Sequence, residues 1–274
     1  MPADAAAAAP DPYFVAHGEG RYAPTAAAEG AWQPGEMHFA PLGGLLTHAI
    51  EAHRIERHAG EAAPLRLSRM TFDILGFLAL EETTVRVETR RPGRTIELTE
   101  ATASIAGRDV AVARAWHSVA VDTAAVAGGD AEPLPAPAAM QASDFAKGWG
   151  GGYVHSVEFR EDGSRAPGRN RGWQRTAHPL VAGEAYEHIA AWIGLIDGAN
   201  GIAVREQPDA WMFPNLDLTI HLHREPEGAW VGYETTVSFG PAGQGITHTA
   251  LHDERGHVGF ALQTLTVRPS PLRQ

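Results

Sequence analysis

The sequence predicts an α+β protein made of two tandem copies of one unit, a central helix wrapped by an antiparallel sheet. Three observations lead there. The halves are self-similar at an offset of about 148 residues: Arg69–Trp116 reads RMTFDILGF…VRVETRRPGRTIEL…AGRDVAVARAW, and Asp217–Gln263 reads DLTIHLHREP…VGYETTVSFGPAGQGIT…ERGHVGFALQ. Val85-x-x-Glu88-Thr89 lines up with Val231-x-x-Glu234-Thr235, Gly107 with Gly256, and Arg69 with Asp217. A period this long points to two copies of a domain rather than a short-repeat solenoid. Each half also reads as a helical pattern followed by strand patterns. One helix cannot cover both faces of a sheet, so the sheet wraps the helix and the halves sit side by side. Finally, an Ala/Pro/Gly-rich stretch over 120–150 separates the two. The expected units are 13–119 and 151–269, with 120–150 as linker.

In order along the chain, MPADAAAAAPDP reads as a disordered Ala/Pro tail without the basic start or Leu/Val core of a signal peptide. A polar leading segment, 13–36, follows. Apolar residues then recur at Leu42, Leu45, Leu46, Ala49, Ile50 and His53, the spacing of a helix, with Pro41 suited to its first turn. Val85, Val87 and Thr89 alternate with Arg86 and Glu88, as in a half-buried strand, and Pro92-Gly93 and Gly107-Arg108 mark turns. In the second half, Tyr153–Phe159 reads as a strand before a Gly/Arg loop. A helix carries Ala185, Tyr186, Ile189, Ala190, Ile193 and Ile196, with Asp197-Gly198 as its stop. Leu216–His223 alternates, which places Asp217, Thr219, His221 and His223 on one face. Strands are expected at about 230–238, 245–252 and 258–267.

Composition excludes several classes. Of 274 residues 44% are hydrophobic, enough for a core in each half, and the net charge is −11. Without a basic excess, electrostatic nucleic-acid binding is not expected. There is no cysteine, which removes disulfides, thiolate zinc sites and cysteine nucleophiles. No stretch approaches the ~18 apolar residues of a membrane span. The expectation is a soluble, cytoplasmic protein with no membrane partner.

At residue level the chain resembles the acyl-CoA thioesterase II-like superfamily of double hotdog proteins, in its actinobacterial-type thioesterase branch. The resemblance rests on GAWQPGEMHFAPLGGLLTHAIE (30–51), WMFPNLDLTIHLHREPEGAWVGYET (211–235) and LHDERGHVGFALQTLTVRP (251–269), and spans about 13–269. It implies hydrolysis of an acyl thioester by an activated water, on a coenzyme A or acyl-carrier substrate, with no cofactor and no metal, in fatty acid metabolism. It leaves homo-oligomer formation open. The family's Asp, hydroxyl and Gln map to Asp217, Ser238 (Thr236 sharing its strand face) and Gln263. A carboxylate accepts the water's proton while a hydroxyl and an amide fix its orientation. No covalent intermediate is needed, in keeping with the absence of a Gly-x-Ser-x-Gly elbow. Relatives of this branch often carry His-Gly-Gly before the central helix. Here His38-Phe39-Ala40 stands there and Gly43-Gly44 comes later, so His38, Gly43, Gly44 and Asn215 are the candidate substrate contacts.

Bland readings stand beside these. Asp217 could be a solvated outer-face acid, Gln263 a core amide and Ser238 a strand-end serine. His221-x-His223 lacks a third ligand at a diagnostic spacing and reads as structural. Arg69, Arg90, Arg91, Arg94, Arg169, Arg171 and Arg175 could meet phosphates, though a charge run on a hairpin is usually a solvated face. Gly148–Gly152, with Trp149 inside, reads as linker. The alternatives to a thioesterase are a non-catalytic double hotdog that binds acyl-CoA, acyl-carrier protein or a partner, and a hotdog hydratase or dehydratase, whose His/Asp dyad has no convincing motif here. Arg69 opposite Asp217 implies one site per chain, since a guanidinium cannot accept a proton. The first copy would then supply pocket walls, with its helix start near His38–Gly44 close to the acid of the second.

Overall fold

The computed structural model describes residues 9–61, 64–129, 131–186 and 188–271; the first eight residues of the Ala/Pro tail lie outside them. The first half contains β1 (Phe14–Gly18), β2 (Arg21–Pro24), α1 (Phe39–Arg57), β3 (Leu65–Ile74), β4 (Thr83–Arg91), β5 (Ile96–Ile105) and β6 (Arg108–Val119). The second contains β7 (Gln141–Ala142), α2 (Gly152–His155), β8 (Val157–Glu161), β9 (Arg169–Thr176), α3 (His188–Leu195), α4 (Ala199–Ile202), β10 (Trp211–Met212), β11 (Asp217–Leu222), β12 (Val231–Phe239), β13 (Gln244–Asp253), β14 (Gly256–Thr266) and β15 (Arg268–Pro269). One continuous sheet runs β1-β2-β4-β5-β6-β3-β11-β14-β13-β12-β9-β8-β7, and β10 pairs with β15 apart from it. The order is the same outward on both sides of the β3–β11 seam, the mark of a double hotdog.

The seam carries the repeat into space. β3 and β11 pair antiparallel with Thr71 opposite Thr219, and these numbers differ by 148. Val85 pairs with Ala103 and Tyr233 with Leu251, again 148 apart. Val85 therefore corresponds to Tyr233, two residues beyond the Val231 of the sequence alignment. A slip of two keeps every side chain on its own face, which is why the pattern alone did not reveal it.

Helix α1 buries Leu42, Leu45, Leu46 and Ile50 beneath the first copy's sheet. The inward positions there are small: Ala101, Ala103, Ala111, Ala113 and Ala115 are all fully buried. Alanine at these positions lets the sheet curl tightly around the helix. The two central helices touch each other at glycines. A Cβ on Gly194 would lie 2.9 Å from Ala40 O and 3.2 Å from Gly44 Cα, so the contact requires the missing side chain.

Four local readings differ from the structure. Residues 13–36 contribute β1 and β2 to the sheet edge. Tyr153–Phe159 splits into the single turn α2 and β8; Tyr153 N–H donates to Glu29 O, and the turn tucks Tyr153 and Val154 into the core. The Gly/Arg loop is the interior strand β9, held between β8 and β12. Tertiary pairing overrides its polar composition: Asn170, Gly172 and Gln174 point inward, while Trp173 packs with Leu134, Met140 and Trp230 on the other face. Lastly, Asp197-Gly198 does not stop the helical run. It forms a 3-10 turn that leads into α4. Among the described residues no helix is long and apolar enough to cross a membrane.

Candidate active site

A cleft of about 480 Å³ opens where the first copy's helix start meets the second copy. Its walls come from Gly30–Phe39, the β3–β4 loop (Ile74–Leu78), Asp197, Asn200, Pro214–Leu216, Thr266 and Arg268. Leu75, Phe77 and Leu216 are about half exposed and give it an apolar rim. At its inner end stands Asp197, 4% exposed. The 3-10 turn after α3 aims this carboxylate at the start of α1.

Three side chains converge on Asp197 or its backbone. Asn215 Nδ2 donates to Oδ1 at 2.9 Å and also to Asp217 O at 3.2 Å. Gln263 Nε2 donates to Asp197 O at 3.1 Å and reaches Oδ1 at 3.4 Å. His38 Nδ1 lies 3.3 Å from Oδ2, and the His38 ring packs tilted against Tyr153 at 4.2 Å between centroids. Tyr233, pinned by its hydroxyl to Leu195 O, backs the turn. None of these partners is a fixed cation. Burial therefore dominates and pushes the Asp197 carboxyl up to about 6, against the lowering hydrogen bonds from Asn215 and Gln263.

His38 caps α1: its Nδ1 accepts from Ala40 N–H at 3.1 Å. A neutral ring that accepts at Nδ1 carries its proton on Nε2. Burial pushes its pKa down to about 3, so the ring stays neutral across the physiological range. Nδ1 and an ionised Oδ2 would face each other with lone pairs only. Nδ1 has one lone pair and Ala40 N–H already takes it, so the ring offers Oδ2 no donor, in keeping with the raised Asp197 carboxyl.

The expected residues divide. His38 and Asn215 line the cleft, and Gln263, 2% exposed, stands behind Asp197 with its Oε1 unpartnered among the described residues. Asp217 and Ser238 do not join them. Leu218, Ile220 and Leu222 are the inward positions of β11, which leaves Asp217 on the outer face, where its Oδ1 accepts from Thr264 N–H at 2.5 Å. Ser238 and Thr236 are exposed on the outer face of β12, because Val237 and Thr235 take the inward positions. The expected meeting of Asp217, Ser238 and Gln263 is thus corrected by strand parity. Gly43 and Gly44 are interior to α1, packed on Phe39 and on Gly194, and do not reach the cleft.

Asp197 was legible as chemistry but read as punctuation. An acid at a helix C-terminus faces the negative end of the helix dipole. After Ile189, Ile193 and Ile196 it was also due to be buried. Both signals marked it as costly. Of the arginines singled out by sequence, Arg90 pairs with Glu88 and Glu100, Arg171 with Asp162, and Arg175 with Glu158. Arg268 is the arginine on the cleft wall. Trp149, within the expected linker, packs edge-on against Trp32 and Phe213.

Comparison with known families and structures agrees with this architecture. An acyl-CoA thioesterase N-terminal domain model matches residues 28–118, and an acyl-CoA thioesterase C-terminal domain model matches 129–267. The search of curated proteins gave no match. Among solved structures, a protein described as a thioesterase from Novosphingobium aromaticivorans DSM 12444 is similar at TM-score 0.69 and 18% identity, over 93% of this chain and 98% of that one. An acyl-CoA thioesterase II from Mycobacterium marinum gives 0.64 and 17%, over 94% and 96%. A hot dog protein of unknown function from Alicyclobacillus acidocaldarius gives 0.69 and 10%, over 93% and 95%. At these identities the structural likeness is one of fold.

Proposed function

The chain belongs to the acyl-CoA thioesterase family, and on that footing we propose that Asp197 is the base that activates water for hydrolysis of an acyl-CoA in the 480 Å³ cleft. The observation that carries this reading is the buried Asp197 carboxylate, held by Asn215 and Gln263 and facing His38 at the head of an open cleft. A base poised near 6 is mostly ionised at neutral pH and still basic enough to accept a proton. Water attacks the thioester carbonyl carbon as its proton passes to Asp197. The tetrahedral intermediate collapses with loss of the C–S bond, and the Asp197 proton goes to the departing thiolate. The products are a free acid and coenzyme A.

The remaining residues support this sequence. Asn215 and Gln263 keep the carboxylate aimed. The Nε2–H of neutral His38 offers the developing oxyanion a donor, and the positive end of α1 lies beside it. Arg268 stands on the cleft wall as a partner for an anionic part of the carrier. A panel of acyl-CoA and acyl-carrier thioesters, read by release of free thiol, tests the proposal. Turnover that disappears in Asp197→Asn is the expected result. Unchanged turnover in that variant, or binding of thioesters with no turnover by the wild type, would reject it.

A further inference from the structure

Behind the cleft lies a second, smaller cavity that the hydrolytic machinery does not use. It measures about 30 Å³ and shares Ala31, Trp32, His38 and Asn200 with the cleft. Its own walls are mostly apolar: Phe145, Trp149, Val154 and Val157. Two polar side chains interrupt them, Tyr153 and Gln174.

Gln174 stands out. It is 1% exposed and sits at an inward position of β9, across from Gly198, the residue after Asp197. Its Nε2 donates to Tyr153 Oη at 3.1 Å, and its Oε1 has no partner among the described residues. A Cβ on Gly198 would lie 3.1 Å from that oxygen, so glycine there keeps the approach to Oε1 open. A buried amide oxygen left bare is costly, and natural cores rarely keep one without a use. Solvent entering the cavity can satisfy it. An alkyl end that displaces the solvent cannot.

We propose that this inner cavity receives the far end of the acyl group and selects thioesters whose acyl group carries a hydroxyl there, with Gln174 Oε1 as the acceptor. The proposal rests on the reading of the cleft as the thioester site. The cavity adjoins Asp197 through Gly198 and Asn200, so an acyl group held with its carbonyl at Asp197 has the inner cavity next in line past His38 and Trp32. The aromatic walls suit the carbon skeleton and Gln174 suits the hydroxyl. A hydroxyl both donates and accepts, so it satisfies the Gln174 amide in either orientation, which a carbonyl or a halide cannot do. A site built to bond a hydroxyl discriminates strongly against the analogue that lacks it, because its own polar group is then left unpaired.

The test uses matched pairs: phenylacetyl-CoA against 4-hydroxyphenylacetyl-CoA, and hexanoyl-CoA against 6-hydroxyhexanoyl-CoA. The expected result is a kcat/KM preference of at least about tenfold for the hydroxylated member of at least one pair. Gln174→Met, of similar length and apolar, should abolish that preference and speed the plain member. Equal rates within both pairs, or a preference that survives Gln174→Met, would overturn the proposal. The wild-type comparison needs no variant to fold. If no thioester turns over at all, the catalytic reading fails separately. The same preference is then read as binding, by calorimetry on the ketone analogues with a methylene between carbonyl and sulfur; equal affinities within both pairs overturn the proposal there too.

Discussion

The two copies each bury a carboxylate beneath the sheet, and they treat it in opposite ways. In the first copy Glu51, 3% exposed, meets His117 Nε2 at 2.6 Å and Arg54 at 2.7 Å. Burial pushes its carboxyl up, but His117 and Arg54 together hold it below the usual range. In the second copy Asp197 has only amides and a neutral imidazole, and its carboxyl rises to about 6. Burial is common to both, so burial alone does not make a base. The charge of the partners decides, and it leaves Glu51 a paired acid and Asp197 the carboxyl suited to the proposed base.

The pseudo-twofold sharpens the contrast position by position. Gly44 and Gly194 face each other across it. Three residues on from each stand Thr47 and Asp197. Thr47 is fully buried, with its hydroxyl donating to Gly43 O at 2.8 Å. At the offset of 148, Leu67 takes the place of Asn215 and Ala115 that of Gln263, and both are buried and apolar. The second copy thus holds a polar trio where the first holds one threonine and two core side chains. The proposal of one site per chain rests on these residues, rather than on Arg69 opposite Asp217 as the sequence suggested.

The largest expected effect is at Asp197 itself. Asp197→Asn keeps the shape and the bonds from Asn215 and Gln263 but loses the proton acceptor. Turnover should fall by on the order of 10²–10⁴, while Thr47→Ala, its counterpart across the pseudo-twofold, leaves kcat/KM unchanged. Steady-state assays of both variants decide it; equal losses would break the asymmetry.

Next in size, Glu51→Leu strands His117 in the core and leaves the partly buried Arg54 unpaired, and should destabilise the fold by about 3–5 kcal/mol. Turnover per folded molecule should stay at the wild-type level. Chemical denaturation with activity measured below the midpoint separates the two. A rate loss without a stability loss would make Glu51 part of the chemistry.

The raised Asp197 carboxyl has two pH signatures. Because the base must be ionised, kcat/KM should fall about tenfold per unit as pH drops below about 6. The folded pKa lies above the ordinary 3.8, so the neutral acid's stabilising contribution is full below pH 4 and lost as pH rises through 6. Asn is neutral throughout. Asp197→Asn should therefore be more stable than wild type at pH 7.5 by on the order of 1–3 kcal/mol, and equal to it at pH 4. Thermal melts at the two pH values test this; a deficit at pH 7.5 would show that the carboxylate is stabilised by its surroundings.

The smallest effects belong to the outer face. Ser238→Ala should leave both rate and stability at wild type. Asp217→Ala should cost about 1 kcal/mol through the lost bond to Thr264 N–H, again with an unchanged kcat/KM. A catalytic defect in either would return the site to the strands.

The duplicated helix-and-sheet plan is written in the sequence, since apolar spacing at Leu42, Leu45, Leu46 and Ile50 and the alternation through β11–β14 encode burial locally. The sequence also holds the offset of 148, and it picked out His38, Asn215 and Gln263. What it could not determine was which face of a strand a polar residue occupies. Asp217 and Asn215 lie two residues apart, yet the strand begins between them, and only the residue before it turns its amide onto Asp197. The tertiary structure alone also decided that Asp197, one more acid at the end of a helix in the chain, lies 3.3 Å from the cap of a helix some 160 residues earlier. Periodicity records how each segment meets the core. A site assembled from two helix ends, a loop and a strand has no period, and it exists only once the glycines at 44 and 194 bring the helices together.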